Sequence, residues 1–76
     1  MDKTRKRCLA IMNKACLDLS GLSLSDLPDL PCVMYALDEM EEYIEAEGEE
    51  NALVSELYSI AQDAVAEVLE EEGFYI

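Results

Sequence analysis

Carboxylates dominate the chemistry that this chain could do. Residues 38–50 read DEMEEYIEAEGEE, so eight of these thirteen side chains are carboxylates and none is basic. Carboxylates can transfer protons, bind metal ions or attract cationic groups. Met40 and Ile44 keep a helical apolar spacing through the same stretch, in phase with Val33 and Leu37. The pattern therefore predicts an ordered helix with a strongly negative outer face.

Nothing in the sequence favours catalysis. There is no histidine that could act as a base beside a cysteine or a serine. No glycine-rich phosphate loop is present, and the EAEGE of residues 45–49 matches a calcium loop only loosely. We expect a protein that is not an enzyme and that has no cofactor and no metal site.

The charge of the chain indicates the kind of partner. Eighteen acids and five bases give a net charge of −13, and all five bases lie within the first fourteen residues. Such a charge repels nucleic acid and anionic membranes and favours a basic protein partner. The alternative is a general acidic bias of the source proteome, as in halophiles.

The cysteines and the hydropathy pattern bear on location. Cys8, Cys16 and Cys32 are an odd number without paired spacing, which argues against a secreted disulfide framework. No signal peptide or membrane span is evident in the sequence. We therefore expect a cytoplasmic protein.

The first predicted helix covers about residues 4–19, and Gly21 is placed to end it. Asp2 or Thr4 could be its N-cap. The bases at its beginning oppose the helix dipole, which predicts either a frayed arm or cations paired with acids from elsewhere. Its apolar face comprises Cys8, Met12, Ala15, Cys16 and Leu19, with Leu9 beside them.

A linker rich in proline and leucine follows at residues 20–31, where Pro28 and Pro31 interrupt helical structure. We expect it to pack across the helix ends through its leucines, with a short turn at 25–28. A short strand at 22–24 is the alternative. The leucines are Leu22, Leu24, Leu27 and Leu30.

Two further helices are predicted at about residues 31–47 and 50–72, with Asp29 and Asn51 as their N-caps. Pro31 suits the first turn of the second helix and Gly48 its end. The core side of the second helix comprises Val33, Leu37, Met40 and Ile44, with Met34 and Ala36 alongside. The third helix repeats Val54, Leu57, Ala61, Ala64 and Val68, widened by Leu53, Ile60, Val65 and Leu69.

Gly73 is placed to end the third helix, and Phe74 is expected to fold back onto its last turn, with an exposed binding tail as the alternative. The whole pattern predicts an all-α fold, a compact three-helix bundle that forms a single domain over residues 1–76.

In small size, helical pattern and acidity the chain resembles phage-encoded DNA-mimic inhibitors of the anti-CRISPR and anti-restriction type. The resemblance implies an inhibitor that acts in the host cytoplasm and occupies a basic, nucleic-acid-binding surface of its target. It carries over no individual residue. Independently of it, the acidic pattern nominates partner-binding residues, with Tyr35, Tyr43 and Tyr58 as candidate anchors. The nominated residues are Asp38, Glu39, Glu41, Glu42, Tyr43, Glu45, Glu47, Glu49 and Glu50, and a second patch of Glu67, Glu70, Glu71 and Glu72.

A different class of function also fits the sequence. The wide apolar face of the third helix favours a structural or adaptor subunit that completes its core by homo- or hetero-oligomerisation, including as a homodimer. The two interpretations are compatible, since an acidic dimer could present two negative faces.

Overall fold

The computed structural model describes residues 2–27 and 30–73. Helix α1 spans Asp2–Ser20, α2 spans Leu30–Glu47 and α3 spans Val54–Glu71, with a short 3-10 helix at Leu24–Asp26 between α1 and α2. No strand occurs in these two described segments. The chain is an all-α three-helix bundle, as the sequence predicts.

Helix α1 presents one apolar side to the interior. Cys8, Met12, Ala15 and Cys16 are fully buried, as their helical spacing predicts, whereas Leu9 and Leu19 remain partly exposed. Asp2 is the first residue of the helix, so the expectation that Asp2 or Thr4 is its N-cap is wrong. The Thr4 hydroxyl instead donates a hydrogen bond to Glu49.

Hydrogen bonds close the C-terminal end of α1 and hold the linker against it. Gly21 has a positive φ of 77°, and its amide donates to the carbonyl of Leu17 at 2.9 Å. The Asn13 side chain accepts a hydrogen bond from the amide of Leu24 at 2.9 Å, and Leu27 is buried. The linker thus packs on the bundle as expected.

Other details of the linker differ from the prediction. The short helical turn lies at 24–26 rather than 25–28, and residues 22–24 form no strand. Leu30 is 62% exposed because it is the first residue of α2 rather than part of the packed linker. Asp29, the expected cap of α2, lies outside the described residues.

Helix α2 runs antiparallel to both neighbours. Thr4 and Arg7, near the beginning of α1, bond Glu49 just beyond the end of α2. The Cys32 thiol, near the beginning of α2, lies 3.6 Å from the carbonyl oxygen of Ala64 in the second half of α3. The buried residues of α2 are those predicted, Val33, Ala36, Leu37, Met40 and Ile44. Met34, which was expected beside them, is exposed.

Helix α3 begins four residues later than predicted, at Val54 rather than about residue 50. Gly48, with a φ of 83°, starts a tight turn in which the amides of Asn51 and Ala52 donate to its carbonyl. The expectation that Asn51 caps α3 is therefore wrong, and Leu53 occupies the N-cap position. The chain needs residues 48–53 to reverse direction and to place Ala52 in the core.

The rest of α3 forms the centre of the bundle. Its buried residues are Leu57, Ala61, Ala64, Val65, Val68 and Leu69, so most of its apolar width is covered within the chain. Val54, predicted as core, is 55% exposed because the late start of the helix leaves it at the first turn. Phe74 lies outside the described residues. No helix in the described segments is long and apolar enough to span a membrane.

Candidate functional site: an acidic helix face and the groove beside it

The outer face of α2 carries a row of carboxylates. Asp38, Glu42 and Glu45 are exposed, on the opposite side of the helix from the buried residues Met40 and Ile44. Glu47 ends the helix, and Glu49 and Glu50 follow in the exposed turn. The structure therefore presents the predicted acidic face to solvent on an ordered helix.

This arrangement is electrostatically unfavourable for the helix. Like charges four residues apart, such as Asp38 and Glu42, repel by about 0.2–0.5 kcal/mol per pair. Acids near the C-terminal end of α2 also face the negative end of its dipole, and its last turn contains no base. Since local electrostatics works against the helix, tertiary packing of its apolar side must hold it.

Two of the nominated residues are already engaged by α1, Glu41 through its carboxylate and Glu49 through its backbone carbonyl as well as its carboxylate. Arg5 lies 3.3 Å from both carboxylate oxygens of Glu41, and the Arg7 guanidinium donates to the backbone carbonyl of Glu49 at 2.8 Å. The basic beginning of α1 therefore pairs with acidic groups from elsewhere in the fold, one of the two arrangements that the sequence predicted. Glu41 is partly buried by this contact.

The remaining nominated residues lie in different surroundings. Tyr43 is half-buried and packs against the core, so its ring supports the bundle. Glu67, Glu70 and Glu71 are exposed on the second half of α3, and Glu72 is exposed just after its end. Glu39 does not lie with Glu42 on the outer face but borders a groove between α2 and α3, which Glu67 also lines.

That groove joins the two acidic patches, which the sequence treated as separate. Asp63 lines it as well and was not among the nominated residues. Its spacing of four from Glu67, beside the buried Ala64, is the signal that could have identified it. Tyr35, which is 69% exposed, stands at the same groove and was named only as a candidate anchor.

Three of the described groups, Cys8, Asp18 and Tyr58, have shifted pKa values, and none of them belongs to the acidic face. The Asp18 carboxylate accepts hydrogen bonds from the Tyr58 hydroxyl and from Lys14, and these bonds lower the pKa of Asp18. The same contact with Asp18 raises the pKa of Tyr58. This contact joins α1 to α3.

Burial, followed by the nearby charge of Glu41, raises the pKa of the Cys8 thiol, against the opposing effect of Arg7 and Arg5. A buried, protonated thiol is a poor nucleophile. Among the described residues, no group of three or more carboxylate or cysteine side chains is arranged to hold a metal ion. The chemistry that the exposed surface supports is the attraction of cationic groups.

Comparisons with protein-family models, with curated proteins and with solved structures give no match.

Proposed function

We propose that this protein is a non-catalytic, protein-binding inhibitor that occupies a basic, nucleic-acid-binding surface of its target. The observation that carries the proposal is the exposed carboxylate row of Asp38, Glu42 and Glu45 on a rigid, ordered helix. Carboxylates spaced along a helix present regularly placed negative charge to lysine and arginine side chains that otherwise contact phosphates. A cytoplasmic defence complex that binds DNA or RNA, as in anti-CRISPR or anti-restriction inhibition, is the class of target proposed.

The unfavourable charge placement supports this proposal. Solubility needs a far smaller net charge than −13, and the row on α2 costs helix stability. Binding to a basic surface gives the row a use, because opposite charges accelerate encounter and discriminate against other partners.

The test is retention of host proteins on the immobilised chain at low salt. We expect a nucleic-acid-binding protein to be retained, to elute at moderate salt and to be displaced by added double-stranded DNA. The variant Asp38→Lys/Glu42→Lys/Glu45→Lys should no longer retain this protein, while its circular dichroism should remain helical.

The control variant, Ala10→Lys/Ser25→Lys/Ser55→Lys/Glu56→Lys/Ser59→Lys, changes the net charge by the same amount at exposed positions outside both nominated acidic patches. It should retain the target. Equal loss by both variants would show that total charge, and not the α2 face, governs binding, and retention by both would overturn the proposal.

The second candidate function is a subunit that associates through apolar surface. Leu53 and Val54 at the beginning of α3 are more than half exposed, and Val54 lines a shallow cleft with Ile11 and Tyr58. Sedimentation at several concentrations separates the two functions, since a purely monomeric species argues against the homodimer.

A further inference from the structure

The groove between α2 and α3 is small and has an apolar floor. Its volume is about 200 Å³, below the range of roughly 300–1,000 Å³ typical of small-molecule and cofactor pockets. Ala36 and Ala64 are buried at its base, and Ile60 is half-buried beside them. These dimensions suit one long side chain. The lining residues are Cys32, Tyr35, Ala36, Glu39, Ile60, Asp63, Ala64 and Glu67.

The rim of the groove is uniformly negative. Glu39 stands on the α2 side and Asp63 and Glu67 on the α3 side, and no base is among the eight lining residues, all of which belong to the described segments. Asp63 and Glu67 are four residues apart on one helix, so their charges repel. An occupant with positive charge would relieve this repulsion.

These carboxylates differ from those that α1 engages. Glu41 and Glu49 accept hydrogen bonds from Arg5 and Thr4. Glu39, Asp63 and Glu67 make no such bond within the described segments. A partner can therefore pair with the groove without first displacing an internal cation.

An aromatic ring completes the rim. Tyr35 lies one helical turn before Glu39 and is 69% exposed. A tyrosine face attracts a cation placed over it, and arginine stacks on such faces more readily than lysine does. The three carboxylates do not have the arrangement of a metal site in this part of the chain, which favours an organic cation.

We propose that this groove receives a single arginine side chain of the basic partner, an inference that rests on the proposed function. The aliphatic part of the side chain lies over Ala36, Ala64 and Ile60, because such stems pack well on apolar surface. The guanidinium then reaches the carboxylates of Glu39, Asp63 and Glu67 and stacks on Tyr35. Several donors in a planar fork suit this site better than the point charge of lysine.

The test is titration of the full chain, followed by amide NMR, with the capped peptide Gly-Gly-Arg-Gly-Gly. Matched peptides carry lysine, or neutral citrulline, at the central position. The arginine peptide should shift the amides of Tyr35, Ala36 and Ala64 in a saturable manner. The lysine peptide should bind more weakly and the citrulline peptide should leave these amides unchanged.

Two double variants test whether the arginine peptide binds at the groove. Asp63→Asn/Glu67→Gln should weaken arginine-peptide binding by about fivefold, the scale of two exposed ion pairs. The control Asp26→Asn/Glu56→Gln changes the net charge equally at exposed positions outside the groove and outside both acidic patches, and it should alter binding by less than about twofold. Tyr35→Ala should reduce the preference for arginine over lysine.

Equal weakening by both double variants, or shifts spread over all acidic segments, would overturn the groove as an arginine site. The lysate experiment decides the proposed function separately. If the target is retained while the peptide fails to select the groove, the arginine inference fails and the inhibitor proposal stands. If the peptide selects the groove but no DNA-displaceable partner is retained, the inhibitor proposal fails instead.

Discussion

A hydrogen bond from the half-buried Tyr58 to the exposed Asp18 connects α3 to α1. The carboxylate of Asp18 also accepts from Lys14 at 3.3 Å. Because these bonds favour the charged carboxylate, its pKa is lower in the folded chain. Their contribution to stability is present above the unfolded-state pKa of Asp18 and is lost as the pH falls through the lower folded-state value.

The variant Tyr58→Phe should raise the pKa of Asp18 toward its ordinary value, because the hydrogen bond from Tyr58 is the largest cause of the lowering. It should also lower stability at neutral pH, with no such loss below the folded-state pKa of Asp18. The side-chain carboxyl resonance of Asp18, followed against pH, measures the shift. Tyr43→Phe is the control, since Tyr43 packs elsewhere on the core, and an unchanged Asp18 titration in Tyr58→Phe would contradict the contact.

For Tyr58 itself the pKa shift has the opposite direction. The bond to Asp18 raises its pKa, so the neutral phenol is favoured in the folded chain. That contribution is present below the ordinary pKa of tyrosine and is lost as the pH rises through the raised value. The contact between α1 and α3 is thus strongest across the neutral range.

At the scale of the elements, the C-terminal end of each helix carries acids, the unfavourable charge for the helix dipole. The last turns of α1, α2 and α3 contain no base, although cations are the favourable charges there. Glu47, the last residue of α2, is the clearest case because it is exposed and also belongs to the proposed binding face.

Glu47→Lys should therefore stabilise the fold and weaken partner binding. Removing an unfavourable charge and adding a favourable one should increase the free energy of unfolding by about 0.5–1 kcal/mol at low ionic strength. Urea denaturation measures the gain, and Glu47→Gln should give about half of it. A loss of stability, or a gain that persists in 1 M NaCl, would show that the dipole is not the cause.

The sequence determines the elements of this fold more readily than their junctions. The spacing of Val33, Leu37, Met40 and Ile44 identifies α2 and its buried side, because a helical period leaves only one apolar face. The start of α3 could not be read in the same way. Asn51 is a good N-cap by residue type, but its backbone amide bonds the carbonyl of Gly48 in the turn that follows α2. Whether Asn51 belongs to this turn or caps α3 depends on where α2 ends.

In the candidate site, too, the features of a single helix could be predicted from the sequence, and the contacts between helices could not. Exposure of Asp38, Glu42 and Glu45 follows from the period of α2 alone. The pairing of Arg5 with Glu41, and the meeting of Glu39 with Asp63 and Glu67, depend on the relative register of two helices. Periodicity within one helix carries no information on that register, so Asp63 was missed and the position of Glu39 beside the groove was not predicted.

At the scale of the whole molecule, a net charge of −13 on 76 residues opposes compaction through self-repulsion. The core must offset this repulsion, and no polar or charged residue is buried in the described segments. Full burial of a side chain such as Leu57 contributes about 1.5–3 kcal/mol. Apolar packing therefore holds the bundle together.

Stability should rise with NaCl concentration, because added salt shortens the Debye length from about 10 Å at 0.1 M to about 3 Å at 1 M. Denaturation by urea, which is uncharged, should show a midpoint that increases over this range. The variant Asp38→Asn/Glu42→Gln/Glu45→Gln should show a smaller increase. A midpoint that falls with salt would mean that contacts such as Arg5–Glu41 outweigh the general repulsion.

The contacts made by the beginning of α1 have a consequence for how this surface meets a partner. Arg5 contacts Glu41, and Arg7 contacts the backbone carbonyl of Glu49. These two arginines act as counterions for the acidic surface, and they belong to the same chain as that surface. Dilution cannot remove them, and an incoming lysine or arginine gains little by replacing them. The effective charge of the acidic surface is thus smaller than its number of carboxylates. Within the described segments, it is concentrated on the outer face of α2 and at the groove with α3, where neither Arg5 nor Arg7 makes a contact.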